Sequence, residues 1–310
     1  MRDTPTPFFD TNRGDISMAG FSTPSGFAKV AVRPGEADPH LERPDIPAGE
    51  FISNVVSNDW VNEEYKLIVV DAPARALTVK PGQFFQWQCP SPDGAEVWTR
   101  RPMSIYQVDR QHSRLEFLYK LAGRGTKGVG TLKPGDEFNI AGPFGVGFSL
   151  DAAWRNVVVI GRGVGLATLG PVSQLAADDG VGVTAILSAR APEFAMSADV
   201  FAGMGATVIP VLDTDGTSDV ANVESILEGL IADGRVDAFF TCGSNRLLAL
   251  CQKLGKTHGI PGEVAVEQIM ACGVGPCYIC VKTFVVDGNK VLRRVCRDGP
   301  VFDFQEACAW

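Results

Sequence analysis

The sequence predicts a β plus α/β fold, in which a small antiparallel barrel, a parallel-sheet domain and a small C-terminal segment follow one another. Three observations support this prediction: short strands separated by Pro-Gly and Asp-Gly turns, a later alternation of strands and helices, and cysteines clustered near the C-terminus. The expected divisions are a proline-rich arm, the barrel, the parallel sheet and the cysteine segment, at residues 1–48, 49–150, 151–261 and 262–310 respectively.

Composition limits the classes of function. The 310 residues include 28 Lys and Arg against 36 Asp and Glu, a formal net charge of −8, with 45% hydrophobic residues. This is an ordinary globular composition, and its acidic balance argues against a nucleic-acid partner, which needs clustered basic side chains. The sequence has no signal-peptide core and no run of about 20 apolar residues. A cytoplasmic protein with free thiols is therefore expected.

The first 48 residues contain seven of the twenty prolines and sustain no helical or strand period. Proline at this density removes backbone donors and interrupts regular elements. Two interpretations stay open: an extended arm wrapped over a neighbouring part of the chain, or an arm that docks a partner subunit.

Six short strands are predicted for the barrel. Turn motifs such as Lys80-Pro81-Gly82 separate them, and this spacing is typical of a small antiparallel barrel. The predicted strands cover residues 49–56, 65–71, 83–88, 102–108, 114–119 and 137–141.

From residue 151 onward strands alternate with helices, which is typical of a parallel sheet with right-handed crossovers. The run at 156–160 is continuously apolar, as expected of a strand buried on both faces. The predicted strands are 156–160, 183–187, 207–212 and 237–241, and the predicted helices are 166–177, 223–232 and 246–256.

The cysteine spacing is the strongest motif. Cys272, Cys277 and Cys280 form a C-x4-C-x2-C pattern, and Cys296 follows after fifteen residues. This spacing matches the plant-type pattern for a [2Fe–2S] cluster, and glycines after the first cysteine let the loop fold around the inorganic core. We expect the fourth ligand to come from a separate strand. A four-cysteine zinc site and disulfides are the weaker alternatives.

Two further motifs suggest nucleotide cofactors. In the barrel, Arg101 can hold a diphosphate, Ser104 can offer a hydroxyl to a flavin nitrogen, and the turn at Gly125-Thr126 can present N–H groups to phosphate. An ordinary surface strand is the alternative for this stretch.

The second motif opens the parallel sheet. A predicted strand runs into Gly161, Gly163 and Gly165 and then into a helix, which suits a pyrophosphate at the helix start. Cys242 and Gly243 end a later strand, where such sheets bind ligands, so Cys242 could lie beside a nicotinamide ring. A tight packing turn and a small buried hydrophobe, respectively, are the alternatives.

The order of these motifs resembles one family. With the stretch Gly142-Pro143-Phe144-Gly145 and the tail after Cys296, they resemble the electron-transfer subunits of dihydroorotate dehydrogenase, within the ferredoxin–NADP⁺ reductase superfamily, over residues 50 to about 303. The resemblance implies FAD, a [2Fe–2S] cluster and NAD, with NADP not excluded. It further implies a hetero-oligomer in pyrimidine biosynthesis, in which electrons pass to or from a catalytic partner subunit.

The motifs and the resemblance together give candidate roles for individual residues. Ser104 and Cys242 become the candidate catalytic residues beside the reacting rings. The glycines at 161, 163, 165 and 243 join Cys242 as candidate NAD contacts. The implied FAD contacts are Arg101, Pro102, Met103, Ser104, Leu118, Tyr119, Lys120, Gly125 and Thr126, and the implied cluster ligands are Cys272, Cys277, Cys280 and Cys296.

Two departures leave the partner open. Arg162 stands where the family usually has glycine, and Thr168 stands where proline is common. A reductase of an oxygenase or demethylase system, and a non-catalytic iron–sulfur module, therefore stay as alternatives, although the fifteen-residue gap favours the dihydroorotate-type tail. The choice between NAD and NADP also stays open, because Arg190 could meet a 2′-phosphate.

Overall fold

The structure is a computed structural model that describes residues 31–32, 48–93 and 97–309. The arm predicted for residues 1–48 lies outside the described residues, apart from Ala31, Val32 and Ala48. The strands are β1 (Ala31–Val32), β2 (Gly49–Trp60), β3 (Tyr65–Asp71), β4 (Phe84–Trp87), β5 (Arg101–Ser104), β6 (Gln107–Asp109), β7 (Arg114–Lys120), β8 (Glu137–Phe144), β9 (Asn156–Arg162), β10 (Gly182–Ala189), β11 (Thr207–Leu212), β12 (Ala238–Cys242), β13 (Gly262–Ala265), β14 (Val281–Val286), β15 (Asn289–Arg294) and β16 (Val301–Asp303). The helices are α1 (Arg124–Val129), α2 (Gly165–Asp178), α3 (Ala198–Gly203), α4 (Val220–Ala232), α5 (Asn245–His258) and α6 (Val295–Asp298).

The first sheet is a curled antiparallel barrel with the strand order β5-β4-β8-β2-β3-β7-β6. The long strand β2 pairs with β8 along its first half and with β3 along its second half, and the register shifts between Val55 and Ser57. This irregularity increases the local twist and lets one strand serve both sides of the barrel. The barrel core is aromatic: the Trp87 ring meets Phe117 and Phe138 edge-on, each at 5.2 Å between centroids.

The strand predicted at 102–108 is two strands, and this prediction was wrong in detail. The chain passes from β4 to β7 between them: the Ile105 N–H donates to Gln83, and the Tyr106 N–H donates to Glu116. Because one straight strand cannot pair with both neighbours, the element divides into β5 and β6, which draws the two edges of the curled sheet together.

The second sheet has the order β11-β10-β9-β12-β13-β16. The first five strands are parallel and β16 runs antiparallel to β13. Helices α2 and α5 follow β9 and β12 and pack on the sheet. Strands β13 and β16 come from the stretch assigned to the cysteine segment, so the sheet continues beyond the expected division at residue 261.

The predicted fold class is confirmed, with a third, small element formed by the β14–β15 hairpin. One hydrophobic core joins the parts, since Phe84 of the barrel, Phe239 of the parallel sheet and Cys296 of the tail share it. The tail also meets the barrel directly, where the Val146 N–H donates to Gly299. Across the described ranges, the helices are all too short or too polar to span a bilayer.

Candidate cofactor sites

The cysteine motif lies in an irregular loop between β13 and β14. Cys277 is exposed, Cys272 is half-buried and Cys280 is buried. Gly273 and Gly275 have φ values of +70° and +101°, a region that side chains rarely adopt. The two glycines therefore allow the chain to turn back on itself between the first two cysteines, as the sequence analysis expected.

Cys296, the fourth cysteine, lies in the short helix α6 directly after β15, and not on a strand as predicted. The Asp298 carboxylate fixes this turn by accepting from the Arg294 backbone N–H over 2.8 Å, and the two side chains also form an ion pair at 3.3 Å. The turn brings Cys296 under the loop, where it is 1% exposed.

The four thiols form two pairs. The Cys296 backbone N–H donates to Cys280 Sγ over 3.4 Å, and the Cys277 side chain lies close enough to Cys272 to help lower the pKa of its thiol. Two pairs suit a binuclear cluster, whereas a structural zinc site needs four thiolates around one ion. Within the described ranges, no group of three or more His, Cys, Asp or Glu side chains is arranged to hold one metal ion.

The electrostatics of the loop favour a thiolate at Cys272. Burial opposes ionisation, but the backbone N–H groups of Cys277, Val274 and Gly275 outweigh it and lower the pKa of the Cys272 thiol to about 7. Burial raises the pKa of Cys296, and the neighbouring thiols of Cys280 and Cys272 raise it further. Converging sulfurs of this kind need cationic centres between them, so the donor set fits an iron–sulfur cluster. All eight cysteines are described, and each is a free thiol, which speaks against the disulfide alternative.

The predicted flavin strand, β5, is an edge strand of the barrel. It pairs with β4 on one side only, so backbone groups on its other side are open to a ligand. Arg101 and Ser104 are half-buried at its two ends. A Cβ on Gly125 would lie 3.2 Å from Cys89 Sγ and from Arg101 Cγ, so the backbone of α1 lies close against the arginine. A guanidinium beside the closely packed start of a helix fits the site predicted for the flavin diphosphate.

The other residues predicted to contact the flavin lie in different surroundings, and several of their side chains are engaged within the protein. The Tyr119 side chain lies in the barrel core and donates to Asn58 Oδ1, so only its backbone could face a ligand. The Lys120 ammonium is engaged by Glu64 at 2.7 Å. The Thr126 hydroxyl accepts from the Gly123 N–H and caps α1. Leu118 packs where the barrel meets α2, while Met103 packs against the barrel core and Pro102 pairs with Gln86.

Of the predicted NAD glycines, two hold neighbouring turns together. A Cβ on Gly165 would lie 2.6 Å from the Cys242 carbonyl oxygen and 2.9 Å from Gly243 Cα. The turns after β9 and β12 thus touch, which accounts for Gly165 and Gly243 by packing. Gly161 is likewise packed against Leu169. Gly163 has only the Tyr65 hydroxyl within 4 Å of such a Cβ, so the space beside it is open. We call this space, between Gly163 of the parallel sheet and Tyr65 of the barrel, the nucleotide cleft.

Cys242 is 2% exposed and packs beneath this cleft. Burial raises the pKa of its thiol, the Glu267 carboxylate raises it further, and a hydrogen bond with Thr168 opposes the shift. Cys242 is therefore a neutral thiol. Sequence reasoning missed Glu267, which keeps contact with solvent although surrounding protein atoms raise the pKa of its carboxyl. No motif marks this glutamate, because it reaches the cleft only through the pairing of β13 with β12.

Two arginines at the carboxyl edge of the sheet are already engaged. Arg162 forms a two-point ion pair with Asp213, 2.5 Å at its shortest, and donates to the Ser188 hydroxyl. Arg190 lies 3.3 Å from Glu64 of the barrel and stacks over the Phe194 ring at 4.1 Å. The guanidinium considered for a 2′-phosphate is thus already held by a carboxylate, which it shares with Lys120.

Comparison with known folds agrees with this arrangement. The chain is similar to an NADH-dependent reduced ferredoxin–NADP oxidoreductase, with a TM-score of 0.70 at 23% identity, covering 83% of this chain and 90% of that one. It is also similar to a ferredoxin–NADP⁺ reductase from Plasmodium falciparum, with a TM-score of 0.53 at 13% identity over 67% of this chain and 89% of that one. At these identities the likeness shows the fold alone.

Comparison by sequence is more specific. A family model described as the iron–sulfur cluster binding domain of dihydroorotate dehydrogenase B matches residues 267–308. The electron transfer subunit of dihydroorotate dehydrogenase B (NAD⁺) from Desulforamulus reducens is 31% identical over 75% of this chain and 88% of that protein. The corresponding subunit from Enterococcus faecalis is 33% identical over 83% of this chain and 97% of that protein. As its motifs predicted, the chain belongs to the family of dihydroorotate dehydrogenase B electron transfer subunits.

Proposed function

We propose that this chain is the electron-transfer subunit of a dihydroorotate dehydrogenase-like complex and moves electrons between NAD(H) and a catalytic partner subunit. The observation that carries the proposal is the cysteine loop: two thiol pairs, one of them exposed at Cys277, lie against a barrel whose edge strand β5 is open on one side. The free cysteines favour a reducing compartment, so we place the protein in the cytoplasm.

The residues divide the work of holding the cofactors. Cys272 and Cys277 would hold one iron, and Cys280 and Cys296 the other, because the thiols are already paired in this way. Arg101 would hold the flavin diphosphate while the edge of β5 orients the ring. When bound, FAD exchanges two electrons with NAD(H) and single electrons with the cluster.

The nucleotide cleft would position the reacting rings and exclude water, and it would not need to transfer a proton. Ser104 offers a hydroxyl at the end of β5, and Cys242 offers a neutral, buried thiol beneath the cleft. Neither needs to ionise for hydride transfer. Between the two nicotinamide cofactors, the engagement of Arg190 by Glu64 and Phe194 favours NAD over NADP, because the guanidinium is already held away from a 2′-phosphate.

The surface around the cysteine loop supports a partner subunit. Four apolar side chains beside the exposed Cys277 are between 48% and 76% exposed: Ile269, Val274, Tyr278 and Ile279. Exposed apolar groups gathered at one place are typical of a protein–protein interface. An interface here would bring the partner close to the cluster and thus shorten the path for electrons.

The proposal is tested with the full chain and its co-purifying partner. Anaerobic NADH should bleach the flavin absorbance and then the cluster absorbance of this chain alone. With the partner present, dihydroorotate should bleach the cluster absorbance first and the flavin absorbance second. Absence of flavin bleaching by NADH would refute the reductase function. Bleaching by NADH without any response to dihydroorotate would instead favour the reductase of an oxygenase or demethylase system.

A further inference from the structure

Gln86 is a buried amide that the cofactor motifs do not include. It lies on β4 and is 1% exposed. Neither its Nε2 nor its Oε1 has a hydrogen-bond partner in the part of the chain that the structure describes. Leaving a buried amide unpaired costs about 1–3 kcal/mol, so an unpartnered glutamine inside a protein calls for a ligand.

The side chain of Gln86 lies outside the barrel core. Side chains alternate along a strand, so Phe85 and Trp87 face the barrel core while Phe84 and Gln86 face the other way. Phe84 belongs to the core that contains Cys280 and Cys296 of the cysteine segment. Gln86 therefore faces the cysteine segment.

Gln86 touches the cluster loop itself. A Cβ on Gly273 would lie only 2.8 Å from both Cγ and Nε2 of Gln86. Gly273 directly follows Cys272, the first cysteine of the cluster motif. The absence of a side chain at Gly273 thus permits the amide to approach the loop next to this cysteine.

On its other side, Gln86 is one strand away from the predicted flavin edge. Its backbone pairs with Pro102 of β5, and proline has no N–H to offer. The Arg100 guanidinium donates to the Gln86 carbonyl oxygen and holds this part of β4 in place. The amide therefore lies between the strand that would orient FAD and the loop that would hold the iron.

We propose that Gln86 is a positioning residue that donates a hydrogen bond from its amide to a sulfur of the [2Fe–2S] cluster and so raises the cluster's reduction potential. This inference rests on the cluster that the proposed function assigns to Cys272, Cys277, Cys280 and Cys296. An electron that enters the cluster makes the sulfurs more negative, and a donor then binds them more strongly. No bond to hydrogen breaks, because the proton stays on the amide nitrogen.

The test replaces the donor and measures potentials. Gln86→Met keeps the length of the side chain without its N–H groups, and Gln86→Glu keeps its shape while exchanging the donor for a carboxylate. Gln88→Met is the matched control, because Gln88 is an exposed glutamine on the same stretch of chain. Cluster and flavin potentials are measured on the loaded full chain by redox titration, followed by electron paramagnetic resonance and visible absorbance.

We expect the reduced-to-oxidised ratio of the cluster at a fixed potential to fall about tenfold in Gln86→Met, which equals about 59 mV for one electron. Gln86→Glu should lower it at least as far, and Gln88→Met should leave it unchanged. A loaded variant of either kind with the wild-type cluster potential would overturn the inference. A shift confined to the flavin would also overturn it. A wild-type chain that holds no cluster would instead refute the proposed function.

Discussion

The Cys296 backbone N–H donates to Cys280 Sγ over 3.4 Å, which joins the fourth cysteine to the third before any metal is considered. The contact depends on the turn of α6, in which Asp298 accepts from the Arg294 N–H. Two cysteines with fifteen residues between them thus meet because a hairpin and a capped turn bring them together. The other pair consists of the half-buried Cys272 and the exposed Cys277, so the two pairs should respond differently to substitution.

Replacing Cys277 by serine should abolish the cluster and leave the flavin. The exposed thiol makes no core contact, so its loss removes a ligand without damaging the fold. We expect iron and acid-labile sulfide to fall below a tenth of the wild-type content, with FAD retained, as measured by chemical analysis of purified protein. Cys308→Ser, which changes a cysteine outside the motif, should retain the cluster. Full cluster content in Cys277→Ser would contradict the ligand assignment.

Replacing Arg101 by alanine should weaken FAD binding. A charge-assisted hydrogen bond contributes about 1.5–3 kcal/mol, so the dissociation constant should rise by about tenfold to hundredfold. The measurement is flavin fluorescence during titration of the deflavinated protein. Arg110→Ala removes an exposed arginine from the turn between β6 and β7 and should change nothing. Equal affinities for FAD in both variants would place the diphosphate elsewhere.

Replacing Glu64 by glutamine should reduce the preference for NADH over NADPH. The wild type should accept NADH at least tenfold better than NADPH, because Glu64 holds Arg190 in an ion pair. Without that carboxylate, Arg190 is free to meet a 2′-phosphate, and the preference should narrow severalfold. The ratio of kcat/KM values in a flavin-reduction assay reports this. Glu63→Gln, at the exposed neighbouring position, is the control, and an unchanged ratio in Glu64→Gln would exclude Arg190 from specificity.

The Arg162–Asp213 pair should stabilise the fold in a pH-dependent way. The hydrogen bond from Arg162, with a smaller one from Ser218, lowers the pKa of Asp213 to about 2 from an ordinary 3.8. A lowered pKa in the folded state means that the stabilisation is complete above about pH 4 and is lost as the pH falls toward 2. Because Asp213 is 40% exposed, we expect about 1 kcal/mol or less.

Urea unfolding of the wild type and Asp213→Asn between pH 2.5 and 6 measures that contribution. The difference in the free energy of unfolding should be constant above pH 4 and should shrink below it. Asp233→Asn serves as the comparison, because Asp233 is an exposed aspartate directly after α4. A difference that grows on acidification would contradict the assignment.

Motifs with fixed local spacing could be predicted from the sequence. The cysteine pattern predicted the loop, and the strand–glycine–helix pattern at residue 161 predicted β9 and α2, because the reasons for both are local. Prediction was weaker wherever a strand changes its partner. The single strand expected at 102–108 is two strands for that reason. The burial of the Tyr119 side chain in the barrel core, which leaves only its backbone to face a ligand, was also not evident from the sequence. Because side chains alternate along a strand, a shift of one residue moves every side chain to the opposite face and reverses which of them are buried.

By itself, the sequence determined the family, the fold class and the identity of the four cysteine candidates, since these depend on residue type and spacing along the chain. Only the tertiary structure decided which thiols pair, that Glu64 holds Arg190 and that Glu267 lies close to Cys242. It also decided that Gln86 lies against Gly273. Three of these relationships join residues far apart in the numbering: Cys242–Glu267 at 25 positions, Glu64–Arg190 at 126 and Gln86–Gly273 at 187. Contacts at such separations arise from strand pairing and packing, and no local pattern in the chain encodes them.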